Sequence, residues 1–306
     1  MNKLLISVVG PTAIGKTTLA IALAQHFNTE IISADSRQFY EEMTIGTAVP
    51  SNEELQAAPH HFIQHKSVKE NYTVGDFEKE ALQTLEILFK KKDIAILVGG
   101  SGLYVDAVTK GLDYFPAVAP QIRATLNEIL DKEGVEALQE KLQELDPSYY
   151  EKVDVKNPHR LIRALEICIG TGNTYSSYLA KEKPKRPFKV LTIGLQTERA
   201  MLYERIAHRV DLMVANGLKE EVRSLLLFKE LNALRTVGYK EYFHFFEGIG
   251  DEAFAISEIK KNTRRFAKRQ LTWFKRNKET HWISIDIPLK EKLLQVTDLH
   301  NNISCS

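Results

Sequence analysis

The chain contains 306 residues, 43% of them hydrophobic, and its 41 basic and 40 acidic side chains leave a formal charge of +1. This length can bury a large core and accommodates two domains. No apolar run approaches the roughly 18 residues of a membrane-spanning helix, and the two cysteines form no C-x-x-C pair, which argues against a zinc site or disulfide framework. We therefore expect a cytoplasmic protein that has no membrane partner.

Residues 4–27 predict a strand, a phosphate-binding loop and a helix. The loop has the pattern G-x-x-x-x-G-K-T and consists of Gly10, Pro11, Thr12, Ala13, Ile14, Gly15, Lys16 and Thr17. Its glycines let consecutive backbone N–H groups face an anion, Lys16 adds a positive charge, and the Thr17 hydroxyl can bind Mg2+. We expect this loop to bind a diphosphate or a triphosphate.

Two further apolar runs predict additional strands. Residues 30–34 lead into Asp35, and residues 93–98 lead into Gly99 and Gly100. Strands separated by helical stretches indicate an α/β fold, with a parallel sheet flanked by helices and ligands at the carboxyl ends of the strands. Nucleotide hydrolases carry a magnesium-binding aspartate at such a strand end. The glycine pair therefore argues against a plain hydrolase and predicts the close approach of a ligand or another backbone.

The middle of the chain is predicted to form a helical insertion domain. Between residue 116 and about residue 184, strand signals vanish and apolar residues recur at helical spacing. We predict that residues 1–115 form the first part of a phosphate-binding core, residues 116–184 the insertion, and residues 185–306 the second part of the core with basic helices. Residues 198–227 predict a single helix that carries Arg209.

A stretch rich in lysine and arginine covers residues 260–278. Ile259, Phe266 and Trp273 recur every seven positions there and are predicted to face the core of the protein, which leaves the cations exposed. A basic helix face suits the backbone of an RNA, and taken alone it is equally compatible with an ordinary solvated surface.

Several short motifs occur in order along nearly the whole chain. They are G-P-T-A-I-G-K-T at 10–17, S-A-D-S-R-Q at 33–38, I-G-T-A at 45–48, A-P-H at 58–60, V-G-G-S-G-L-Y at 98–104, N-P at 157–158, R-A-L-E at 163–166 and V-G-Y at 237–239. In these motifs the chain resembles the tRNA dimethylallyltransferases. Ser101 is a departure, because it stands where that family usually has threonine.

The resemblance implies transfer of a dimethylallyl group from dimethylallyl diphosphate to N6 of the adenosine next to the anticodon, position 37 of tRNA, with release of diphosphate. The N6 lone pair is delocalised into the ring, so a general base helps the reaction, and we assign that role to Asp35. Lys16 and a Mg2+ ion on Thr17 would stabilise the departing diphosphate. The predicted catalytic residues are therefore Asp35, Thr17 and Lys16, and the resemblance adds Arg209 as a diphosphate ligand.

The resemblance also implies that the partner is the anticodon stem-loop of a tRNA, and we expect the protein to act as a monomer. The residues expected to contact tRNA are Asp35, Ser36, Arg37, Gln38, Ser101, Arg123, His159, Arg160, Leu161, Ile162, Arg163, Arg235, Gly238, Tyr239, Lys240, Lys268 and Arg269.

The residues alone leave alternatives open. Asp35 is also compatible with capping a following helix, Ser101 with a turn, and Arg163 with an ion pair to Glu166. At the level of function, the alternatives are a prenyltransferase that acts on free AMP, a small-molecule kinase that uses ATP, and a nucleotide-dependent RNA-binding protein without catalysis.

Overall fold

The computed structural model describes residues 3–179 and 185–304 and divides the chain into two compact units. The first unit comprises Met1–Thr109 and Arg186–Ser306, and the second comprises Lys110–Lys185. The predicted insertion, residues 116–184, falls within the second unit, and its last positions, 180–184, lie outside the described residues.

A six-stranded parallel sheet organises the first unit, in the order β3-β2-β4-β1-β5-β6. The strands are β1 (Leu4–Val9), β2 (Ile31–Ser33), β3 (His60–His61), β4 (Ile94–Gly99), β5 (Lys189–Gln196) and β6 (His281–Ser284). All six residues of β1 are buried, because the strand is paired on both edges and covered by helices on both faces. This confirms the predicted α/β fold with its parallel sheet.

Helices connect the strands and build the second unit. In chain order they are α1 (Lys16–His26), α2 (Asn52–Ala57), α3 (Val74–Phe89), α4 (Gly102–Lys110), α5 (Pro120–Glu133), α6 (Val135–Leu145), α7 (Pro147–Tyr150), α8 (Pro158–Thr171), α9 (Ser176–Leu179), α10 (Arg199–Ala215), α11 (Leu218–Ser224), α12 (Tyr239–Phe246), α13 (Glu252–Phe274) and α14 (Leu289–Ser304). None of the helices in the described ranges is long and apolar enough to cross a membrane.

The prediction of one helix over residues 198–227 is wrong. The structure has two helices there, α10 and α11, and the chain turns between them at Gly217, whose φ is +97°. A residue in the left-handed region ends a helix, and glycine adopts this conformation without a steric penalty. The break separates Arg209 on α10 from Glu221 on α11, and the two residues have different tasks in the site.

The seven-residue spacing identified only part of the buried face of α13. Ile259 is buried as predicted, and Trp273 is half-buried and packs against the core, but Phe266 is half-buried and belongs to no core cluster of the described residues. The remaining buried positions are Ala255, Ala267, Gln270 and Phe274. An α-helix has 3.6 residues per turn, so residues seven apart are rotated by about 20° relative to each other. They therefore do not stay on one face of a straight helix. Gln270 occupies the buried face between the two aromatic residues.

The second unit has a hydrophobic core of its own, formed mainly by α5, α6 and α8. Leu126, Leu138 and Leu142 pack there with Leu161 and Ile162, and each of these side chains is at most 2% exposed. The predicted contact of Leu161 and Ile162 with tRNA is therefore corrected, because these two side chains support the helices from inside and do not face solvent.

Candidate active site

A cavity of about 480 Å³ lies at the carboxyl ends of the central strands in the first unit. Its walls come from the phosphate loop, the end of β2, residues 48–54 and one side of α10. This is the edge of a parallel sheet at which ligands bind. Nine of the predicted site residues line the same cavity: Thr12, Ala13, Ile14, Gly15, Lys16, Thr17, Asp35, Gln38 and Arg209.

The phosphate loop has the conformation of an anion cradle. Gly10 and Gly15 have φ values of +147° and +96°, and Ala13 has a φ of +63°, which is uncommon for a residue other than glycine. The loop leads directly into α1, which begins at Lys16. The free N–H groups and the positive end of the helix dipole thus lie at the cavity, together with the side chain of Thr17.

Two cations of the cavity, Lys16 and Arg209, form no ion pair with any carboxylate in the described residues, although Asp35 lies near both. The Lys16 Nζ donates to the Pro11 carbonyl at 2.8 Å, and burial lowers the pKa of Lys16 to about 7, although nearby Asp35 opposes this change. Burial also lowers the pKa of Arg209 to about 10, and the positive charge of Arg37 adds to the effect. A buried cation without a partner is unfavourable on its own, so both groups gain from an anionic ligand.

Asp35 follows β2 on a turn. Its Oδ1 accepts a hydrogen bond from the Arg37 backbone N–H at 3.3 Å and lies 3.6 Å from the Arg37 Nε. No helix begins at this turn, since the next helix along the chain is α2, so helix capping does not explain Asp35. Its carboxylate lines the cavity that also contains Lys16.

The other residues of the 36–38 turn hold the cavity walls together. The Ser36 N–H donates to the Ser101 Oγ at 3.1 Å, and the two hydroxyls lie 3.0 Å apart. The Gln38 Nε2 donates to the carbonyls of Thr47 and Ala48 at 3.2 and 2.8 Å. Ser101 is therefore more than a turn residue, because it ties the end of β4 to the Asp35 turn.

The glycine pair after β4 does allow a close approach, as predicted. A Cβ atom on Gly99 would lie 2.4 Å from the Ala34 carbonyl oxygen, and one on Gly100 would lie 2.4 Å from the Gln270 Nε2. The approaching groups are thus a neighbouring strand end and a side chain of α13. Sequence reasoning did not identify Gln270.

Glu221 is a second residue that sequence reasoning missed. Its Oε2 accepts from the N–H groups of Thr44 and Ile45 at 3.0 and 2.7 Å, and its Oε1 accepts from the Gly46 N–H and the Tyr239 hydroxyl at 2.9 and 2.7 Å. Burial and this carboxylate raise the pKa of the Tyr239 hydroxyl. The carboxylate fixes the segment that leads to the cavity wall.

Tyr239 itself is fully buried, and its ring packs under Gly46, where a Cβ would lie 2.6 Å from the ring. The prediction that its side chain contacts tRNA is corrected accordingly. Gly238, also buried, is the N-cap of α12 and donates its N–H to Glu241 at 2.8 Å. Of this motif, Tyr239 therefore supports the loop at 44–48.

Arg205 was also not predicted, although it lines the cavity. Its Nε donates to the Ala13 carbonyl at 2.8 Å. Arg205 and Arg209 lie four residues apart on α10 and therefore share a face. This spacing was a readable signal in the sequence.

The remaining predicted tRNA residues divide into paired and exposed side chains. In the second unit, Arg123 and Arg163 both donate to Glu166, at 2.7 and 3.0 Å, so the ion-pair alternative for Arg163 is confirmed. Arg235 is exposed and pairs with Glu230 at 3.2 Å. The other exposed side chains of this set are His159, Arg160, Lys240, Lys268 and Arg269.

Arg37 is largely buried, with 16% of its side chain exposed, and its guanidinium lies 4.8 Å above the Phe266 ring. Arg269 lies 5.8 Å from the same ring. Phe266 thus contacts a cation of the Asp35 turn and a cation of the basic helix.

Comparison with known proteins places this site in a family. The sequence model of the IPP transferase family matches residues 38–277. The chain belongs to the IPP transferase family. A tRNA dimethylallyltransferase from Christiangramia forsetii is 62% identical over 286 residues, which cover 94% of this chain and 95% of that protein. A second relative with the same name, from Flavobacterium johnsoniae, is 58% identical over 92% of this chain and 93% of its own length.

Solved structures agree with this assignment. The tRNA isopentenylpyrophosphate transferase from Bacillus halodurans is 36% identical, with a TM-score of 0.73, and the match covers 99% of this chain and 96% of that one. A eukaryotic dimethylallyltransferase acting on tRNA is 26% identical, with a TM-score of 0.76, over 92% of this chain and 74% of its own. As an IPP transferase family member, the protein is a prenyltransferase.

Proposed function

We propose that the protein transfers the dimethylallyl group of dimethylallyl diphosphate to N6 of adenosine 37, beside the anticodon of a tRNA, and releases diphosphate. One observation carries the proposal: a carboxylate, Asp35, and two cations that form no ion pair in the described residues, Lys16 and Arg209, line one cavity. Transfer of an allyl group to a weak nitrogen nucleophile needs a proton acceptor and a site that stabilises the leaving anion. The names of the relatives support this pair of substrates.

The phosphate loop and its cations act on the leaving group. As the bond between the allylic carbon and oxygen breaks, negative charge grows on the diphosphate. Lys16, Arg209 and the N–H groups at the start of α1 then interact with more charge than in the ground state. The differential interaction lowers the barrier.

Asp35 acts on the nucleophile. Its carboxylate takes the N6 proton while the new bond between nitrogen and carbon forms, so that the amine does not carry a positive charge. The adenosine must leave its base stack to reach the cavity, which costs a few kcal/mol.

Magnesium fits the donor set of this cavity when it binds together with a diphosphate. Within residues 3–179 and 185–304, no cluster of three or more His, Cys, Asp or Glu side chains could hold a metal ion. Mg2+ keeps several waters and takes phosphate oxygens rather than an all-protein cage. We propose that the Thr17 hydroxyl contributes a ligand, and that the bound ion neutralises charge on the leaving group.

Exposed basic side chains of each unit supply contacts to the tRNA backbone. We propose Lys268, Arg269 and Lys240 in the first unit and His159 and Arg160 in the second. Phosphate contacts of this kind give affinity and salt dependence, whereas the sequence is read at the unstacked bases of the loop. A cytoplasmic, monomeric enzyme remains our prediction.

The test is incubation of the protein with Mg2+, ATP and dimethylallyl diphosphate labelled in its allyl group, together with bulk tRNA, with AMP, or with neither. We expect label in tRNA, located at N6 of adenosine 37 after nuclease digestion. Label in AMP instead would indicate a nucleotide prenyltransferase, and ATP consumption without any transfer would indicate a kinase. Either result would overturn the proposal.

A matched variant strengthens this test. Lys16→Ala removes the cation of the phosphate loop and should abolish most transfer while leaving tRNA binding intact. The control is Lys90→Ala, which removes an exposed lysine that pairs with Glu86 on the surface of α3. The control should transfer as the unaltered protein does.

A further inference from the structure

One peptide group of the phosphate loop, between Pro11 and Thr12, is held at both of its polar atoms. Its carbonyl oxygen accepts from the Lys16 Nζ at 2.8 Å, and its N–H donates to the Gln270 Oε1 at 2.8 Å. A peptide group is planar and rigid, so fixing the direction of its N–H also fixes the direction of its carbonyl. Gln270 therefore sets the position of the atom to which the Lys16 amine is bound.

The other end of the Gln270 amide is fixed as well. Its Nε2 donates to the Gly100 carbonyl at 2.9 Å, and the residue is only 4% exposed. A flipped amide would turn its NH2 group toward the Thr12 N–H and its oxygen toward the Gly100 oxygen, so only one orientation satisfies both contacts. The glycine is required for this approach, because a Cβ there would lie 2.4 Å from the Nε2.

The neighbours of Gln270 on α13 hold the helix at this position. The Trp273 Nε1 donates to the Asp106 Oδ2 at 2.9 Å, and the indole packs on Gly102, where a Cβ would lie 2.3 Å from the ring. Four residues before Gln270, the Phe266 ring contacts Arg37. The amide is thus presented by a helix that is anchored on both sides of it.

We propose that Gln270 is a positioning residue, which holds the Pro11–Thr12 peptide, and through it Lys16, in the orientation that receives a diphosphate. The inference rests on the proposed function, in which this loop binds the leaving group. Without Gln270, the Thr12 N–H is left buried without a partner, and rotating this peptide to satisfy it moves the Pro11 carbonyl away from Lys16. The cradle then has to be rebuilt when the ligand binds, and this weakens binding.

The experiment measures inorganic diphosphate binding in the presence of Mg2+ by calorimetry, and tRNA binding separately, for Gln270→Met and Gln270→Glu. Methionine keeps the approximate shape and removes both hydrogen bonds. We expect Gln270→Met to weaken diphosphate binding by about ten- to a hundredfold, as the loss of buried hydrogen-bond partners does, with tRNA affinity unchanged.

Gln270→Glu provides a readout that a merely structural role would not move. A protonated carboxyl group can accept from Thr12 and donate to Gly100, whereas a carboxylate faces the Gly100 oxygen without a proton between them. Relative to the unaltered protein at each pH, its diphosphate affinity should therefore recover as the pH falls. A ratio that stays constant with pH would contradict the proposal.

Thr272→Val is the matched control, because Thr272 lies on the same helix with its side chain exposed, and it should bind diphosphate normally. Should Gln270→Met fail to fold, Gly100→Ala displaces the same amide from the opposite side and should give the same loss, and combining it with Gln270→Glu should give no added loss at high pH. Normal diphosphate affinity in folded Gln270→Met, or equal losses for diphosphate and tRNA, would overturn the proposal. The probe carries no allyl group, so failure of the proposed prenyl transfer would be seen separately.

Discussion

Lys16 and Arg209 in the first unit are partly buried, whereas Arg123 and Arg163 in the second have 48% and 41% of their side chains exposed, and the two pairs of cations also differ in what balances their charge. In the part of the chain that the structure describes, neither Lys16 nor Arg209 forms an ion pair, and burial lowers the pKa of both. Arg123 and Arg163 instead share the carboxylate of Glu166. An unbalanced buried cation indicates a site that awaits an anion, and a balanced one indicates a structural role.

The largest effect is expected at Asp35, whose carboxylate lines the same cavity as Lys16 and Arg209. Asp35→Asn should lower the rate of prenyl transfer by about a hundredfold or more, because the general base is lost, while tRNA affinity is retained. Single-turnover kinetics with saturating tRNA measures the chemical step. Near-normal turnover would remove Asp35 from the role of base.

Arg209→Gln should weaken diphosphate binding by at least about tenfold, since hydrogen bonds to charged groups contribute roughly 1.5–3 kcal/mol. Its thermal stability should not fall, because the substitution removes a buried charge that forms no ion pair in the described residues. Calorimetry measures the affinity for diphosphate, and thermal unfolding measures the stability. A clear loss of stability would mean that Arg209 is balanced within the fold, which would break the comparison.

Because of Lys16, the affinity for diphosphate should depend on pH. With a pKa of about 7 in the empty cavity, Lys16 is mostly neutral at pH 8, and a bound diphosphate raises its pKa. Binding at pH 8 should therefore take up close to one proton, and affinity should decline as the pH rises above 7. Calorimetry in buffers of different ionisation enthalpy measures the uptake. Lys16→Arg should take up no proton when diphosphate binds.

Glu166→Gln tests the second unit, where the Glu166 carboxylate balances the charges of Arg123 and Arg163. Burial alone would raise the pKa of Glu166, but the hydrogen bonds from Arg123 and Arg163 outweigh it and hold the pKa below 4.5. The pair therefore stabilises the fold above about pH 4.5, and this contribution is lost as the pH falls through the lowered pKa. At neutral pH we expect a loss of about 1–2 kcal/mol in the free energy of unfolding, since both arginines are partly exposed.

The control for this variant is Glu128→Gln, whose carboxylate forms an exposed pair with Lys132 on α5. It should change the unfolding free energy by less than about 0.5 kcal/mol. Diphosphate affinity should be unchanged in both variants. Equal stability of the two variants would show that Glu166 does not hold the arginines in place.

The smallest effect is expected on the surface of α13. Changing Lys268 and Arg269 to alanine should weaken tRNA binding modestly and flatten its dependence on salt concentration, with the slope changing by about one for each phosphate that the helix no longer binds. Filter binding over a range of salt concentrations measures the slope. An unchanged slope would refute this helix face as an RNA surface.

The sequence predicted features that depend on neighbouring residues better than features that depend on residues far apart in the chain. The phosphate loop, the Asp35 turn and the glycine pair are local patterns at strand ends, and all were placed correctly at the edge of the sheet. Gln270 contacts a residue 258 positions away, and Glu221 contacts residues about 175 positions away. No spacing rule reports such contacts, because they depend on how distant elements pack.

The sequence also did not show which residues of a functional segment have buried side chains. Tyr239 lies within a motif that indicated function, and Leu161 and Ile162 lie between two such motifs, yet their side chains are in the core. A motif identifies the segment that matters but does not say which of its residues face the ligand and which hold the segment in place. Arg205 was a different case, because its four-residue spacing from Arg209 was readable and was overlooked.

The central position of β1 has a consequence for biosynthesis. The strand that precedes the phosphate loop pairs on one side with β4 and on the other with β5, which begins at Lys189, and the loop is then braced by a residue of α13. Most of the polypeptide must therefore emerge from the ribosome before the amino-terminal cradle can close. We therefore expect a nascent chain to bind diphosphate only after α13 has been synthesised.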